Sequence, residues 1–210
     1  MTQEQVHTQE FWDERYRMKD QIWSGRPNPV LVAVAAGLPP GTALDVGCGE
    51  GADSIWLAEH GWRVTGTDIS NVALQRGAAA AAGRTDVADR IVWEQADLLT
   101  WQPTAEQFDL VSAQFVHLPP GERESLHRRL AAAVRTGGTL LVVGHHPSDL
   151  ETTVQRPNRP DLMVTAEVMA EVLDPAEWRI DTSAPEREAV DPDGVTVTIT
   201  DAVLRAVRLV

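Results

Sequence analysis

The stretch "ALDVGCGEGAD", residues 43–53, constrains the fold more than any other part of the chain. An apolar run stops there at Gly47, Gly49 and Gly51, and the residues that follow read as a helix. After a buried strand, glycines let the backbone turn sharply and approach a ligand, while the helix start offers free N–H groups. The spacing reads as G-x-G-x-G or, with Ala52, as the dinucleotide fingerprint G-x-G-x-x-A. By itself it does not choose a cofactor.

Strand-like and helix-like segments alternate along the chain, which predicts an α/β fold with a parallel sheet. Strands are expected at 42–46, 62–68, 90–97, 108–115 and 139–146. Between them lie the helix "SIWLAEHG", closed by Gly61, and a helix capped by Ser70 that runs through the alanines 78–82 to Gly83. An amphipathic helix over 119–134 precedes the turn "TGG". A Pro-rich polar loop follows at 146–162, and Thr165 opens a short helix. Then "WRIDTSAPEREAV" and "VTVTITDAVLRAVRL" alternate around "DPDG" (191–194), a hairpin that makes at least one strand antiparallel. Upstream, Asn28 caps a helix with Pro29 at its first position. Nothing marks a second domain, so residues 1–210 read as one, with 1–37 ahead of a core at 40–210.

The 18 basic and 31 acidic residues leave a net charge of −13, which repels phosphate backbones and anionic lipid. Nucleic acid and membrane surfaces are therefore not expected partners. Cys48 is the single cysteine, which excludes an internal disulfide and a thiolate zinc cage and suggests a reducing, cytoplasmic setting. The N-terminus is too charged for a signal peptide, and no apolar run is long enough for a membrane span.

Four features sharpen the choice of cofactor. Asp45 lies inside the first strand, two residues before Gly47, where a carboxylate would repel a pyrophosphate but helps to place an ammonium group. Asp68 ends the second strand 21 positions after Gly47, where an acid accepts from ribose hydroxyls. Asp97 ends the third strand and could accept from an adenine amino group, with Leu98 packed on the ring. The chain also lacks the second nucleotide-binding half of a dinucleotide enzyme. S-adenosylmethionine fits a ligand with an adenine, a free ribose and an amino-acid cation, and no phosphate.

"LDVGCGEG", "VTGTDIS", "QADL", "FDLVSA" and "AVRTGGTLLVV" together resemble the motifs of class I S-adenosylmethionine-dependent methyltransferases, closely over residues 40–145. "FWDERY", "WSGRPNP" and "GADSIWLAEHGWRVTGTDIS" are most similar to the small-molecule group that includes tellurite-resistance and thiopurine methyltransferases. The resemblance implies a Rossmann-like, doubly wound sheet of seven strands, mostly parallel with an antiparallel C-terminal strand, in a three-layer αβα sandwich. It implies S-adenosylmethionine as cofactor, S-adenosylhomocysteine as product, and N-terminal helices folded over the site as a lid. Gly47 and Gly49 would line the methionine end, Cys48 would add a backbone contact as a small buried hydrophobe, and Gly51 would serve helix–strand packing. Asp68 would take the ribose, Ile69 and Leu98 would sandwich the adenine beside Ala96 and Asp97, and Gln114 would face the methionine portion. Trp12, Tyr16 and Trp23 have the spacing of a lid and equally of core aromatics. Arg26 either forks onto the methionine carboxylate or is a solvated turn arginine.

His117, His145 and His146 follow the fourth and fifth strands, whose carboxyl ends border the ligand crevice of a doubly wound sheet. No acidic residue is spaced to complete a metal site with them, so no metal is expected. His117 or His146 is the expected general base if the acceptor, a small-molecule sulfur, nitrogen or oxygen nucleophile, has a proton to lose. A cofactor-binding protein without transferase activity and a nicotinamide-dependent oxidoreductase are the competing readings.

Overall fold

β1 (Thr42–Val46) is the central buried strand, and its side chains alternate between two cores: Leu44 and Val46 on one face, Ala43 on the other. In the computed structural model, which describes residues 8–156 and 159–210, β1 is one of five parallel strands. They are β1, β2 (Arg63–Asp68), β3 (Ile91–Gln95), β4 (Phe108–Gln114) and β5 (Val134–His145). Residues 1–7 of the expected lid and 157–158 of the expected loop lie outside the described residues.

Beyond β5 come β6 (Trp178–Ser183), β7 (Glu186–Val190) and β8 (Thr196–Arg208). The order is β3-β2-β1-β4-β5-β8-β6, with β7 paired to β8 and β8 antiparallel to all its neighbours. The seven-stranded path matches the expected sheet, and β7 is an eighth strand that sequence reading merged with β6. Pro185, which has no N–H to donate, breaks the two apart. β8 then pairs with β7 through 196–200 and with β5 and β6 through its later residues. The expected "TGG" turn also differs: β5 begins at Val134, so Thr136–Gly138 lies within the strand, and the pairing register with β4 shifts between Phe108 and Leu110.

Helices cover both faces. α1 (Gln9–Arg17) and α2 (Pro29–Ala35) lead into the sheet, followed by α3 (Ala52–Glu59), α4 (Asn71–Ala82), α5 (Thr85–Ala88), α6 (Glu122–Ala133) and α7 (Ala166–Ala170). Leu31, Leu57 and Ala81 pack with Leu110 and Leu141 on one side. Leu126, Leu130 and Met169 pack with Val111 and Leu140 on the other. The expected caps are in place: Ser70 Oγ accepts from Ala73 N at 3.2 Å, Asn28 Oδ1 accepts from Val30 N at 2.8 Å, and Gly61 follows α3 at φ +90°.

Candidate functional site

β1 is flanked by β2 and β4, and the chain leaves it in opposite directions, a switch point beyond whose carboxyl ends doubly wound sheets bind their ligands. The glycine turn sits there, with Gly47 at φ +68° and Gly49 at φ +54°. Their missing side chains are a spatial requirement as well as a conformational one. A Cβ on Gly47 would lie 2.7 Å from Val116 Cγ2, and one on Gly49 would lie 3.0 Å from the Tyr16 hydroxyl and 3.2 Å from Trp23 Nε1. Gly51 instead faces Trp93 and Gly77, a packing contact between α3, α4 and β3. Cys48 N donates to Thr67 O at 2.9 Å, and burial beside Asp45 pushes its thiol well up, so it is no thiolate nucleophile.

The carboxylates occupy different layers. Asp45 is buried beneath the turn and accepts from Ser54 Oγ at 2.6 Å; burial and the nearby Asp53 push its pKa up. Asp68 ties the site together: Oδ2 accepts from Gly49 N at 2.9 Å and Oδ1 from Ser70 N at 2.8 Å. A backbone hydrogen bond from Ile69 also reaches this carboxylate. Ala96 N donates to Asp68 O at 3.0 Å, which sets the end of β3 beside it. Asp97 is exposed and accepts from Leu99 N at 3.0 Å, Leu98 is half-buried beside the core, and Ile69 is half-buried after β2. Arg129 of α6 pins this adenine-side loop, donating to Leu98 O at 2.7 Å and to Trp101 O. Sequence reading missed Arg129, because nothing local links it to a loop 28 to 31 residues upstream.

The segment ahead of β1 closes over the turn. Trp23 Nε1 donates to the Tyr16 hydroxyl at 2.9 Å, and burial near Asp68 raises the Tyr16 pKa, so the phenol stays protonated. Asp13 accepts from Ser70 Oγ at 2.6 Å and from Val72 N at 3.2 Å, docking α1 on the start of α4. Glu50, also missed from sequence, accepts from Ile22 N at 3.1 Å and Trp23 N at 3.2 Å, while its other oxygen takes Arg76 Nη1 at 2.9 Å. Asp53 accepts from Asn28 N at 2.6 Å. Trp12 stacks in a tilted pair on Tyr16. Arg26 is exposed, and its guanidinium makes no hydrogen bond or ion pair among the described residues.

Past β4, Phe115 adopts φ +56°, a left-handed conformation that is costly for an aromatic residue. The bend sets Val116 against Gly47 and carries His117 onto His145, ring centroids 4.7 Å apart at 18°, with Phe115 4.7 Å from His145 and 6.3 Å from His117. His117 Nε2, His145 Nδ1 and Gln114 Oε1 are buried without a hydrogen-bond partner among the described residues; Gln114 Nε2 donates to Ser112 Oγ at 2.7 Å. Burial and the Arg156 cation hold His117 down to about 4. His145 is held lower still by burial, His117, Arg156 and Arg187. Both rings are therefore neutral near pH 7. The structure brings His117 together with His145 and not with His146, whose Nδ1 accepts from Ser148 N at 3.2 Å and caps the turn Pro147–Glu151. Among the described residues no His, Cys, Asp and Glu cluster could hold a metal.

The sequence matches the Methyltransferase domain family over residues 43–138. It is 31% identical to Probable thiol methyltransferase 2 of Arabidopsis thaliana over 137 residues, 63% of this chain and 60% of that protein. It is 27% identical to the 2-heptyl-1-hydroxyquinolin-4(1H)-one methyltransferase of Mycobacteroides abscessus, over 82% of this chain and 74% of that one. The chain thus spans less than two thirds of the first of these relatives. The fold superposes on TehB from Haemophilus influenzae with a TM-score of 0.70 at 19% identity, covering 96% of this chain and 67% of that one. Among the described residues, no helix is long and apolar enough to cross a membrane.

Proposed function

The chain belongs to the class I S-adenosylmethionine-dependent methyltransferases, and on that premise we propose that it methylates a small-molecule sulfur, nitrogen or oxygen nucleophile. The observation that carries this reading is the Asp68 carboxylate at the end of β2, which bridges Gly49 N and Ser70 N where a ribose would be met. S-adenosylmethionine, when bound, supplies a methyl group on a positively charged sulfur that leaves as the neutral thioether of S-adenosylhomocysteine.

The residues fit that cofactor. Gly47 and Gly49 hold the left-handed turn that brings backbone N–H groups toward a ligand, and the unpaired Gln114 Oε1 offers an acceptor to an ammonium group. Ala96, Asp97, Leu98 and Ile69 border the adenine side, with Arg129 holding that loop still. Cys48 contributes backbone to the turn, and Asp45 supports it from beneath through Ser54. Trp23, with Tyr16 and Glu50, borders the methionine side, and exposed Arg26 is within the same segment, free to take up a carboxylate. Residues 1–210 act as one methyltransferase domain with the segment before β1 as its lid. The acidic charge and single cysteine support a cytoplasmic enzyme whose partner is a small molecule rather than nucleic acid or membrane.

Alignment and water exclusion are the chain's main contributions, since the methyl group needs no activation by the protein. Titration calorimetry with S-adenosylhomocysteine tests the reading: wild type binds, and Asp68→Ala binds at least about thirtyfold more weakly because ribose hydroxyls lose their acceptor. Equal affinity of the two proteins, or a preference for NAD over S-adenosylhomocysteine, overturns it. Transfer of labelled methyl to thiols, phenols or amines then separates an enzyme from a cofactor-binding protein.

A further inference from the structure

We infer that His117, His145 and Arg156 form the acceptor subsite, and that it takes a nucleophile arriving as a soft anion, a thiolate above all, from which the protein removes no proton. This rests on the methyltransferase reading.

Two ring nitrogens, His117 Nε2 and His145 Nδ1, are buried and unpaired at the carboxyl ends of β4 and β5. Burying a polar atom without a partner costs about 1–3 kcal/mol, so a fold that keeps two side by side is explained by a ligand that pairs with them. Neither ring is arranged as a base. A histidine base is normally backed by a carboxylate, and Asp149 is the nearest, with Oδ2 at 4.0 Å from His145 Nδ1. That oxygen already accepts from Arg156 Nε at 3.0 Å and Nη2 at 2.7 Å, and Oδ1 accepts from Thr200 N at 2.8 Å. The charge of Arg156 acts on both rings, and His145 also feels that of Arg187, whose fork is held by Asp201 at 2.7 and 3.2 Å. In the tautomers that put the proton on these two nitrogens the rings are neutral donors, and with a guanidinium charge acting on them they suit an anion and disfavour an imidazolium.

The transfer then balances without a proton. The anion's lone pair forms the bond to the methyl carbon as the carbon–sulfur bond breaks and returns its pair to sulfur, so the two opposite charges cancel.

The probe is thiophenol, whose thiolate and thiol absorb differently and which ionises near neutral pH, above the range in which His117 takes up a proton, titrated over pH with protein saturated by S-adenosylhomocysteine, where no turnover occurs. The bound probe is expected to stay thiolate to lower pH than in solution, its midpoint down by about one unit, a tenfold preference for the anion. His117→Gln, which keeps an N–H donor, retains that shift, and His117→Leu loses it. In turnover, the pH midpoint of kcat/KM moves with the acceptor across a series of aryl thiols. A probe bound as neutral thiol, or a turnover midpoint that stays fixed across the series, overturns the inference while leaving the methyltransferase reading intact. Failure to bind S-adenosylhomocysteine at all overturns that reading instead.

Discussion

The hydroxyl of Tyr16 accepts a 2.9 Å hydrogen bond from Trp23 Nε1 above Gly49, close enough that a Cβ there would meet both side chains. The bond joins α1 to the irregular segment before α2, and Asp13 fastens α1 to the N-terminal turn of α4. The lid is thus tied to the same two backbone stretches, the glycine turn and the start of α4, that Asp68 bridges from below. Cradle and cover share their supports, so a change in one is felt in the other.

Glu50→Ala separates the lid from the fold. It removes the acceptor for Ile22 N and Trp23 N and breaks the partly buried pair with Arg76. Each lost contact is worth about 1 kcal/mol, partly recovered by water at the half-exposed amides. The expected outcome is a Kd for S-adenosylhomocysteine raised about tenfold, with faster proteolysis between residues 18 and 28 and a nearly unchanged unfolding midpoint. Wild-type affinity in this variant would count against the lid.

Alanine at the second and third glycines of the turn distinguishes binding from stability. At Gly49, with φ +54°, the new methyl group meets buried Tyr16, which cannot move, and exposed Trp23, which can, so cofactor affinity falls with a stability loss of about 1–2 kcal/mol from left-handed strain. At Gly51, with φ +82°, the methyl group meets the Trp93 ring and the Gly77 backbone, which cannot move. Left-handed strain and overpacking together are expected to lower the stability of Gly51→Ala by about 3 kcal/mol, read by urea unfolding.

Much of this was legible from local rules. The apolar run of β1, the glycines that must turn, the caps Asn28 and Ser70, and the C-terminal Gly61 each depend on a few adjacent residues. What was hidden depends on contacts distant in sequence. Thr136–Gly138 has a turn composition, yet the pairing of Val134 with Phe108 draws it into β5. Glu50 and Arg129 make their bonds across 26 to 31 residues, with no periodic signal. The histidines turn on a single position: β5 ends at His145, which follows Val143 on the α3 face and meets Phe115, whereas His146 turns away to cap the next segment.

Arg129→Ala tests whether the loop after β3 is held from α6. Charged donors to the carbonyls of Leu98 and Trp101 are lost, each worth about 1.5–3 kcal/mol if the carbonyls stay dry. Since the loop borders the adenine side, hydrogen exchange should rise at residues 97–101, and affinity for S-adenosylhomocysteine should fall several-fold. Slow exchange there in the variant would show that the loop holds itself.

His127 gives a pH test outside the crevice. It is 4% exposed on α6, and burial, with the Arg123 cation, holds it down to about 4 against an ordinary 6.5. In the unfolded chain the ring takes up a proton as pH drops below about 6.5, while the folded chain keeps it neutral to about 4. The unfolded state therefore binds more protons across that window, and the stability due to the neutral ring is lost as pH falls through it. At 1.36 kcal/mol per unit the full loss is about 3 kcal/mol. His117, also held at about 4, adds a slope of the same sign, while the raised carboxyls of Asp45 and Asp68 oppose it, so the total curve does not isolate one group. The difference between wild type and His127→Gln does, because the other groups cancel. Urea unfolding at pH 7 and at pH 4.5 is expected to show wild type losing more stability than the variant by roughly 2 kcal/mol, and parallel losses in the two proteins would mean that His127 is protonated in the fold.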